Sequence, residues 1–483
     1  MLSSVVREAA QRFGDRAAFV DHTGQQLTYR QLDERSQLVA QGLEEAGIGV
    51  GSVIALTMAS GFDYVITYVA AAKIGAITAG VNPSLTAPER DALLAHLQPD
   101  LVVDQALPVP GVVRPKEPGA GVDGDGIDPD RIVAIVFTSG TTGPPKGAVF
   151  RNRQLEAICE IDLGPGWRDR WGGGGPMLAS TQFAHVGFMT KLPWYLRMGV
   201  TMHVLERWRP ADVLRTIAAE RITVLGAVAP QLALMLRCPE FDELDLDCVT
   251  SIIAGGAASP PALVRAARER FGAKYSIRYS STESGGVGLA TDFDAPDSEA
   301  LFTVGRPRPG VEVKVIGESG AAAEPGEIGE LYLRTPAMFD GYWRDGDATA
   351  ATIVDGWIRT GDLASIDADG LIRLNGRCKE MYIRGGYNVS PVEVEAVLSD
   401  HPAVNAIAMV PRPDDVMGEV GVAVIVVEPG HAAPTLDELR SFGADRLAKW
   451  KLPEALLEIG ALPLTQIQKL DRAALQTTVL SAG

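Results

Sequence analysis

The sequence is poor in cysteine, has no excess of basic residues and lacks a long uninterrupted apolar segment. Its four cysteines, Cys159, Cys238, Cys248 and Cys378, form no CxxC pair. Neither a zinc site nor a disulfide framework is therefore predicted, and a reducing compartment is expected. The net charge of −17 argues against a nucleic-acid surface, because phosphate binding favours a basic domain. Any anionic ligand would need a local cluster of donors to overcome this overall field.

Neither a signal peptide nor a membrane span is predicted. The first residues, MLSSVVREAAQRF, carry Arg7, Glu8 and Arg12 where a signal peptide needs an apolar core. The most apolar long stretch, residues 65–81, is interrupted by Lys73 and is rich in small residues, so we expect a buried element there. We therefore expect a cytoplasmic protein without a transmembrane segment.

The sequence has the composition of a globular protein and three successive patterns of helix and strand signals. Its 483 residues are 46% hydrophobic and 22% charged, which suits about three domain-sized units. Helix and strand patterns alternate from residue 28 to residue 256 and predict α/β layers around a mainly parallel sheet. The Pro- and Gly-rich residues 107–130 between them predict a surface connection.

Two further patterns follow in the second half of the chain. Alternating strands with turn signals such as Asp369-Gly370 begin after residue 303 and predict a β-rich subdomain. From about residue 380 a small α+β unit is predicted, of roughly 100 residues, with a helix over residues 435–450. The polar segment 375–381 is the predicted boundary between the two.

A Gly- and Thr-rich segment follows the apolar strand pattern that begins at residue 132. The sequence TSGTTGPPKG (138–147) combines glycines, hydroxyls and one cation, Lys146. Glycines let backbone N–H groups approach an anion, and hydroxyls and a lysine add donors, so the segment suits a phosphate-binding loop. Its spacing fits neither G-x-x-x-x-G-K-[ST] nor G-x-G-x-x-G. From composition alone, a phosphate-binding loop and an ordinary polar loop remain equal alternatives.

Other segments favour the first alternative through a resemblance. The loop at 138–148 resembles the signature loop of the adenylate-forming superfamily, specifically of its AMP-dependent acyl-CoA synthetases. Later motifs of that family are matched in the same order, over nearly the whole chain. The matching segments are AGGAAS (254–259), YSSTES (279–284), GELYLRTPAMFDGYW (329–343), DGWIRTGD (355–362), NGRCKE (375–380), GGYNVSPVEVE (385–395) and PLTQIQKLDRAAL (463–475).

The resemblance implies a two-step reaction and a two-domain α/β fold. A carboxylate attacks the α-phosphate of ATP to give an acyl-adenylate and pyrophosphate, and the thiol of CoA then attacks the mixed anhydride. ATP, Mg²⁺ and CoA are the expected cofactors, a carboxylic acid is the expected substrate, and a homodimer is left open. The large N-terminal domain (1–376) is expected to hold layered α/β subdomains and the β-rich subdomain. A hinge (377–380) then joins it to a small mobile α+β C-terminal domain (381–483).

The resemblance also implies a nucleotide site assembled from several motifs. The loop at 138–147 would hold the β- and γ-phosphates, Tyr279 would stack on adenine, and Asp362 would accept hydrogen bonds from the ribose hydroxyls. Arg377 would support the same ribose or the phosphates, and the loop containing Gly385 would approach the thiol of CoA. The full set of expected binding residues is Thr138, Ser139, Gly140, Thr141, Thr142, Gly143, Lys146, Gly255, Gly256, Ala257, Tyr279, Ser280, Ser281, Asp362, Arg377, Lys379, Gly385 and Gly386.

Four residues are implied in catalysis. Lys469 would bridge the substrate carboxylate and the α-phosphate in the first step. Glu283, with its neighbour Thr282, would hold Mg²⁺ through a hard oxygen ligand. His185 resembles the gate residue of acyl-CoA synthetases. A core histidine remains the alternative for His185, and a solvated lysine for Lys469.

Some positions depart from the family pattern or leave alternatives open. Gln468 and Ser280 stand where the family usually has Gly, and Gln468 would slow the adenylation step if it stiffened the lysine loop. Lys379 falls at the family's hinge position. Arg384 and Lys451, together with Lys449, would either meet the phosphates of CoA or be solvated.

The identity of the acid is constrained only in part. The segment Phe183-Ala184-His185-Val186 holds no carboxylate to pair with a substrate ammonium, so amino acids are disfavoured. Small and apolar neighbours, including Gly285, Gly286 and Gly288, are expected to leave room for a fatty acid or another aliphatic, alicyclic or aryl acid of undetermined length.

An acid–CoA ligase is therefore the predicted function, with three alternatives. A freestanding adenylation enzyme would load the acid onto a carrier protein instead of CoA. A luciferase-like oxygenase would share only the adenylation step. A non-catalytic nucleotide-binding relative is suggested by Gln468 alone.

Overall fold

The computed structural model describes residues 1–107, 128–138, 145–179, 181–256, 259–378, 380–385, 387–465 and 470–482. Within them lie five β-sheets with helices packed against their faces. The predicted surface connection falls almost wholly on residues 108–127, outside the described part of the chain.

The first hundred residues alternate helices and strands, as the sequence predicts. The helix predicted from residue 28 begins at a capping box, in which Gln31 N donates to Thr28 Oγ1 at 3.1 Å and Thr28 N donates to Gln31 Oε1 at 3.0 Å. The elements are α1 (Leu2–Phe13), β1 (Ala17–Asp21), β2 (Gln26–Thr28), α2 (Tyr29–Glu45), β3 (Val53–Leu56), α3 (Phe62–Lys73), β4 (Ile77–Gly80), α4 (Ala87–Leu97) and β5 (Leu101–Val103). Helix α3 is the element predicted to be buried, and nine of its twelve residues are buried.

The next segment completes two sheets. Its elements are β6 (Ile132–Phe137), β7 (Gly147–Arg151), α5 (Asn152–Leu163), a 3₁₀ turn (Trp167–Asp169), β8 (Pro176–Leu178), α6 (Val186–Met189), α7 (Leu192–Met198) and β9 (Thr201–Val204). One sheet has the order β5-β3-β4-β6-β7 and is parallel except for β6 with β7; the other has the order β2-β1-β9-β8. The predicted mainly parallel sheet is confirmed.

A third sheet follows with its first three strands parallel. The elements are α8 (Pro210–Glu220), β10 (Val224–Ala227), α9 (Ala229–Leu236), a 3₁₀ turn (Pro239–Asp242), β11 (Ser251–Gly255), α10 (Pro261–Phe271), β12 (Lys274–Tyr279), β13 (Leu289–Ala290), α11 (Asp297–Ala300) and β14 (Arg306–Pro307). The order is β10-β11-β12-β13-β14. Ligand sites in such sheets form where the parallel strands end, here after β11 and β12.

The predicted β-rich subdomain is confirmed as an antiparallel sheet. Its elements are β15 (Glu312–Ile316), β16 (Gly329–Arg334), α12 (Gly346–Thr352), β17 (Ile353–Val354), β18 (Trp357–Ile366) and β19 (Ile372–Arg377). The order is β15-β16-β18-β17, with β19 paired to β18. The turn between β18 and β19 contains Asp369-Gly370, as predicted.

The last part of the chain forms its own sheet and apolar clusters. Its elements are β20 (Tyr382–Arg384), β21 (Tyr387–Val389), α13 (Pro391–Leu398), β22 (Val404–Asp414), β23 (Gly418–Val427), α14 (Leu436–Gly443), a 3₁₀ turn (Lys449–Lys451), β24 (Ala455–Glu458) and α15 (Arg472–Ala482). The order is β21-β20-β23-β22, with β24 parallel to β23. The overall α/β class with a small α+β unit at the end is confirmed, while the domain boundaries 1–376, 377–380 and 381–483 stay predictions.

The helix predicted over 435–450 is wrong in its length, because α14 ends at Gly443. A Cβ atom at Gly443 would lie 2.9 Å from Leu452 Cδ2 and 3.1 Å from Leu398 Cδ2. The chain turns where this close approach occurs and continues into the 3₁₀ turn. Among the described residues, no helix is both long and apolar enough to span a membrane.

Candidate active site

The predicted nucleotide site is assembled where β11 and β12 end. The two strands are parallel neighbours, and Gly255 lies opposite Arg278 in the register. A Cβ atom at Gly255 would lie 3.0 Å from the carbonyl oxygen of Arg278, so a side chain there would crowd the next strand. Gly256 follows with a φ of 75°, which favours glycine. These two predicted residues therefore lie beside Tyr279, the last residue of β12.

Tyr279, Asp362 and Arg377 form one hydrogen-bonded corner. Tyr279 Oη donates to Asp362 Oδ2 at 2.5 Å, and Arg377 Nε lies 3.0 Å from Asp362 Oδ1. Asp362 and Arg377 are register partners on β18 and β19, which explains why two motifs 15 residues apart in sequence meet. The Asp362 side chain is 12% exposed and that of Arg377 is 44% exposed, so the corner opens toward solvent on its cationic side.

The corner places a carboxylate in a fixed orientation. Burial, followed by the nearby charge and hydrogen bond of Asp362, raises the pKa of Tyr279 well above its ordinary value. The tyrosine therefore stays protonated and remains a donor at neutral pH. Each carboxylate oxygen can accept more than one hydrogen bond, so both Asp362 oxygens can also accept from a pair of vicinal hydroxyls.

Glu283 is held by a residue to which the sequence assigned no role. Tyr342 Oη donates to Glu283 Oε1 at 2.7 Å, and burial together with the charge of Glu283 raises the pKa of Tyr342 above its ordinary value. The backbone also joins the two segments, because Phe339 N donates to the carbonyl oxygen of Glu283 at 2.8 Å. Tyr342 lies inside the motif GELYLRTPAMFDGYW, and that position was the only available signal.

The described ends of the Gly- and Thr-rich loop lie beside this glutamate. Thr138 N donates to the carbonyl oxygen of Lys146 at 2.9 Å, and Lys146 N donates to Thr138 Oγ1 at 3.1 Å. The Lys146 ammonium lies 5.1 Å from the ring centroid of Tyr342. Residues 340–343 pair with β7 through backbone bonds such as Trp343 N to the carbonyl oxygen of Gly147 at 2.7 Å. The predicted loop residues Ser139, Gly140, Thr141, Thr142 and Gly143 lie outside the described residues.

The segment after Tyr279 folds into a compact turn. Ser281 N donates to Ser284 Oγ at 3.0 Å, and Ser284 N donates to Ser281 Oγ at 3.2 Å. Gly285 N donates to the carbonyl oxygen of Thr282 at 3.0 Å. Ser280, Ser281 and Thr282 are half-buried. The turn fixes the direction in which Glu283 leaves the backbone.

The expectation that three glycines leave room beside this turn is wrong for two of them. A Cβ atom at Gly285 would lie 2.5 Å from the carbonyl oxygen of Ala337, and one at Gly288 would lie 2.3 Å from that of Tyr279. Both glycines permit close backbone packing. Only Gly286 faces side chains at ordinary contact distance, 3.5 Å from Lys191 Cε and from Val186 Cγ2.

His185 lies at the start of α6, next to the residue that contacts Gly286. The residue is half-buried, and its carbonyl oxygen accepts hydrogen bonds from Phe188 N and Met189 N at 3.0 Å. Its neighbour Val186 contacts the Gly286 position. His185 is therefore placed at the edge of the same turn as Glu283, while its role as a gate stays a prediction.

The donor chemistry at Glu283 suits a magnesium ion that is shared with phosphates. Among the described residues, no group of three or more His, Cys, Asp or Glu side chains could enclose a metal, and only Tyr342 bonds the Glu283 carboxylate, through Oε1. Magnesium is often bound by one or two carboxylates together with substrate phosphates and water. One fixed carboxylate beside a phosphate-type loop matches that pattern.

The small C-terminal unit contributes a different set of contacts. Gly385 has a φ of 55° and its N–H donates to the carbonyl oxygen of Met417 at 2.8 Å. Arg384 forms an ion pair with Glu454, and Lys451 lies 2.6 Å from Glu393. Both cations are paired with carboxylates of the same unit, so neither is simply solvated. Their contact with the phosphates of CoA stays a prediction. Lys449 is exposed.

The predicted catalytic lysine lies outside the described residues, but Arg472, which follows it, lies within them. Lys469, Gln468, Lys379, Gly386 and Ala257 lie outside the described residues. Arg472, three residues after Lys469, pairs with Glu395 at 3.0 Å and with Glu380 at 3.1 Å. The pair with Glu380 ties the start of α15 to the last residue of the predicted hinge.

Comparison with known proteins confirms the family resemblance. A family model described as AMP-binding enzyme matches residues 6–343, and one described as AMP-binding enzyme C-terminal domain matches residues 393–469. The chain is 30% identical to the long-chain-fatty-acid–CoA ligase FadD13 of Mycobacterium tuberculosis, over 94% of this chain and 93% of that protein. It is 31% identical to the fatty acid–[acyl-carrier-protein] ligase ScoC of Streptomyces coeruleorubidus, over 94% and 92%. The fold matches the crystal structure of ATP-bound MatB from Rhodopseudomonas palustris with a TM-score of 0.87, at 24% identity and over 99% of both chains.

Proposed function

Because this chain belongs to the AMP-binding enzyme family, we propose that it activates a carboxylic acid with ATP and transfers the acyl group to CoA. The observation that carries the proposal is the arrangement of Tyr279, Asp362 and Glu283. A carboxylate oriented for two hydroxyls and a carboxylate suited to a metal lie on segments that meet at the end of one strand. The chain is an enzyme of the acyl-CoA ligase type, and ATP and CoA are its expected substrates.

The described residues divide the binding of ATP among them. The carboxylate of Asp362 accepts hydrogen bonds from both ribose hydroxyls while Tyr279 and Arg377 hold its orientation. The loop at 139–144, which lies outside the described residues, is proposed to bind the β- and γ-phosphates, and Thr138 and Lys146 form the stem on either side of it. Backbone donors that are already oriented stabilise developing phosphate charge without reorganisation.

Glu283 is the proposed residue for Mg²⁺, with Tyr342 fixing its carboxylate. When bound, the ion would neutralise charge on the phosphates. Lys469 is proposed to bring its ammonium to the substrate carboxylate and the α-phosphate, so that the two reacting groups align. A cytoplasmic location and a homodimer stay predictions from the sequence.

A carrier protein is the second candidate acceptor, since one relative of equal similarity is an acyl-carrier-protein ligase. The two candidates share the adenylation step and differ only in the thiol. Acyl transfer that requires a carrier protein and ignores CoA would favour this alternative.

The test is pyrophosphate release with a broad panel of carboxylic acids, with and without CoA. We expect acid-dependent release and a CoA thioester as product. Absence of release with every acid would contradict the enzyme assignment, and an acyl-adenylate that accumulates in the presence of CoA would contradict CoA as the acceptor.

A further inference from the structure

The Gly286 side of the turn faces side chains at ordinary contact distance, and we take it as the side on which the tail of the acid leaves the reaction centre. The turn that carries Glu283 ends at Gly286, and the neighbouring positions 285 and 288 are filled by backbone oxygens. A tail directed away from the phosphates therefore passes Gly286. The side chains it meets there are those of Val186 and Lys191.

Lys191 belongs to a buried ion triad. Its Nζ lies 2.6 Å from Asp162 Oδ2, and Arg308 Nη1 lies 2.7 Å from Asp162 Oδ1. The three side chains are between 11% and 19% exposed. Burial alone would raise the pKa of Asp162, but Lys191 and Arg308 lower it below its ordinary value, so Asp162 is a carboxylate at neutral pH.

The triad adjoins the segment 285–288 through α5 and through the backbone of Arg308. On α5, Ile158 contacts the Gly285 position at 3.1 Å, and Asp162 lies four residues further, on the same face of the helix. Arg308 N donates to the carbonyl oxygen of Gly288 at 3.1 Å. The triad therefore lies beside the segment 285–288, which follows Glu283 in the chain.

The triad carries one surplus positive charge and unused donors. Two cations face one carboxylate, and an ammonium has three donors. Among the described residues, Lys191 Nζ donates only to Asp162. A buried donor without an acceptor is costly, so a ligand group that accepts a hydrogen bond from Lys191 would be favoured.

An unsubstituted long tail would offer Lys191 no hydrogen-bond acceptor. A pocket of about 500 Å³ beside the triad has Asp162 in its lining. It is lined by Asp162, Leu163, Asp169, Arg170, Trp171, Gly172, Trp194 and Met198. Placing methylene groups against charged side chains removes the water those charges would otherwise contact, which is unfavourable.

We propose that Lys191 makes this enzyme selective for a compact acid with an oxygen acceptor at the end distal to its carboxylate. A hydroxyl, carbonyl or second carboxylate on a short alkyl or aryl acid supplies that acceptor. This inference rests on the proposed acid–CoA ligase function and specifies the substrate class of the same site. Asp162 and Arg308 act as positioning residues, because they hold the ammonium of Lys191.

The experiment compares acids of matched length with and without the distal oxygen. Alkanoates of 4 to 16 carbons are paired with their ω-hydroxy and dicarboxylic counterparts, and 3-phenylpropionate with its 4-hydroxy derivative. kcat/KM for pyrophosphate release is measured for the wild type, for Lys191→Met and for Lys274→Met. The Met variant at 191 keeps the apolar stem and leaves Asp162 paired with Arg308, while Lys274 is an exposed lysine that controls for lost charge.

For at least one chain length, the wild-type kcat/KM should be about tenfold higher for the oxygen-bearing acid, or more. A hydrogen bond to a charged group would give an effect of this size. Lys191→Met should remove most of that preference by lowering kcat/KM for the oxygen-bearing acid only. Lys274→Met should keep it.

Three results would overturn the inference while leaving the ligase function intact. The first is equal kcat/KM for the two acids of every pair with the wild type. The second is an equal loss of kcat/KM for both acids of a pair in Lys191→Met. The third is a wild-type kcat/KM that rises with the length of the unsubstituted chain. If Lys191→Met does not fold, as judged by circular dichroism, the wild-type comparison decides alone. Pyrophosphate release with none of the acids would overturn the ligase function itself.

Discussion

The proposed nucleotide side and the proposed acid side of the site are built from different kinds of residue. The nucleotide side, formed by Tyr279, Asp362 and Arg377 with Glu283 and Tyr342, consists entirely of residues inside sequence motifs. The acid side, formed by Asp162, Lys191 and Arg308 around Gly286, has its charged groups outside every motif. Both sides are held by charge-assisted hydrogen bonds of 2.5 to 3.0 Å.

This difference separates the chemistry that enzymes of this type share from the chemistry that is particular to this chain. ATP is the same in every enzyme of this type, so the groups that hold it recur with the same spacing. The acid differs between enzymes, so the groups that meet its tail need not recur. A change on the nucleotide side should therefore affect all acids equally, while a change on the acid side should alter the ranking of acids.

Lys469→Ala should give the largest effect, and it tests whether the nucleotide side needs a residue from the small C-terminal unit. Adenylate formation from acid and ATP should fall by about 10³-fold, as expected when a charged stabilising donor is removed. Thioester formation from pre-made acyl-adenylate should be spared. The measurement is pyrophosphate release in the first case and CoA thioester yield in the second. Equal loss of both steps would show that the assigned division of roles is wrong.

Asp362→Asn should have the second largest effect, and it tests whether the nucleotide side acts independently of the acid. The amide keeps the shape but loses the ion pair with Arg377 and one of the two acceptor oxygens, so ATP binding should weaken by about 100-fold, or about 3 kcal/mol. The KM for ATP is measured with several acids, and the loss should be the same for each. Asp369→Asn changes an exposed carboxylate on the same hairpin and should leave the KM unchanged. A loss that varied with the acid would break the proposed separation of the two sides.

Much of the fold and of the nucleotide side could be predicted from the sequence, for a physical reason. Strand and helix periods are local properties, so the alternation of helices and strands, the buried α3 and the turn of the β18–β19 hairpin were predicted. The pairing of Asp362 with Arg377 follows from that hairpin, because the two residues are register partners.

The acid side could not be predicted, because its contacts depend on tertiary packing. Asp162 is 29 residues from Lys191 and 146 residues from Arg308 in sequence, and no local period connects them. The glycines show the same limit. Gly285, Gly286 and Gly288 look alike in sequence, yet in the fold the first and last lie against the backbone oxygens of Ala337 and Tyr279, while Gly286 faces the side chain of Lys191.

Asp162→Asn should affect stability in a way that depends on pH, on the acid side alone. The pKa of Asp162 is lowered in the folded protein, so its stabilising contribution is present above the ordinary carboxyl pKa and is lost as pH falls through the folded value. At pH 7 the variant should be less stable by about 2 kcal/mol, because two charge-assisted bonds are weakened. Urea unfolding is measured between pH 7 and pH 3, and the difference from wild type should shrink toward the acid end. A difference that stays constant over this range would contradict a charged Asp162.

Tyr342→Phe should have the smallest effect and tests how firmly the nucleotide side depends on fixed orientation. The variant removes the hydroxyl that donates to Glu283 but keeps the ring beside Lys146. Glu283 should then sample more orientations, so the Mg²⁺ concentration for half-maximal pyrophosphate release should rise about fivefold, as expected for one lost hydrogen bond of about 1 kcal/mol. The maximal rate at saturating Mg²⁺ should recover, and the ranking of acids should not change. Tyr332→Phe, which alters a tyrosine on β16 away from Glu283, is the matched control. If Tyr342→Phe left the Mg²⁺ requirement unchanged while reordering the acids, Tyr342 would belong to the acid side, and the boundary between the two sides would have to be moved.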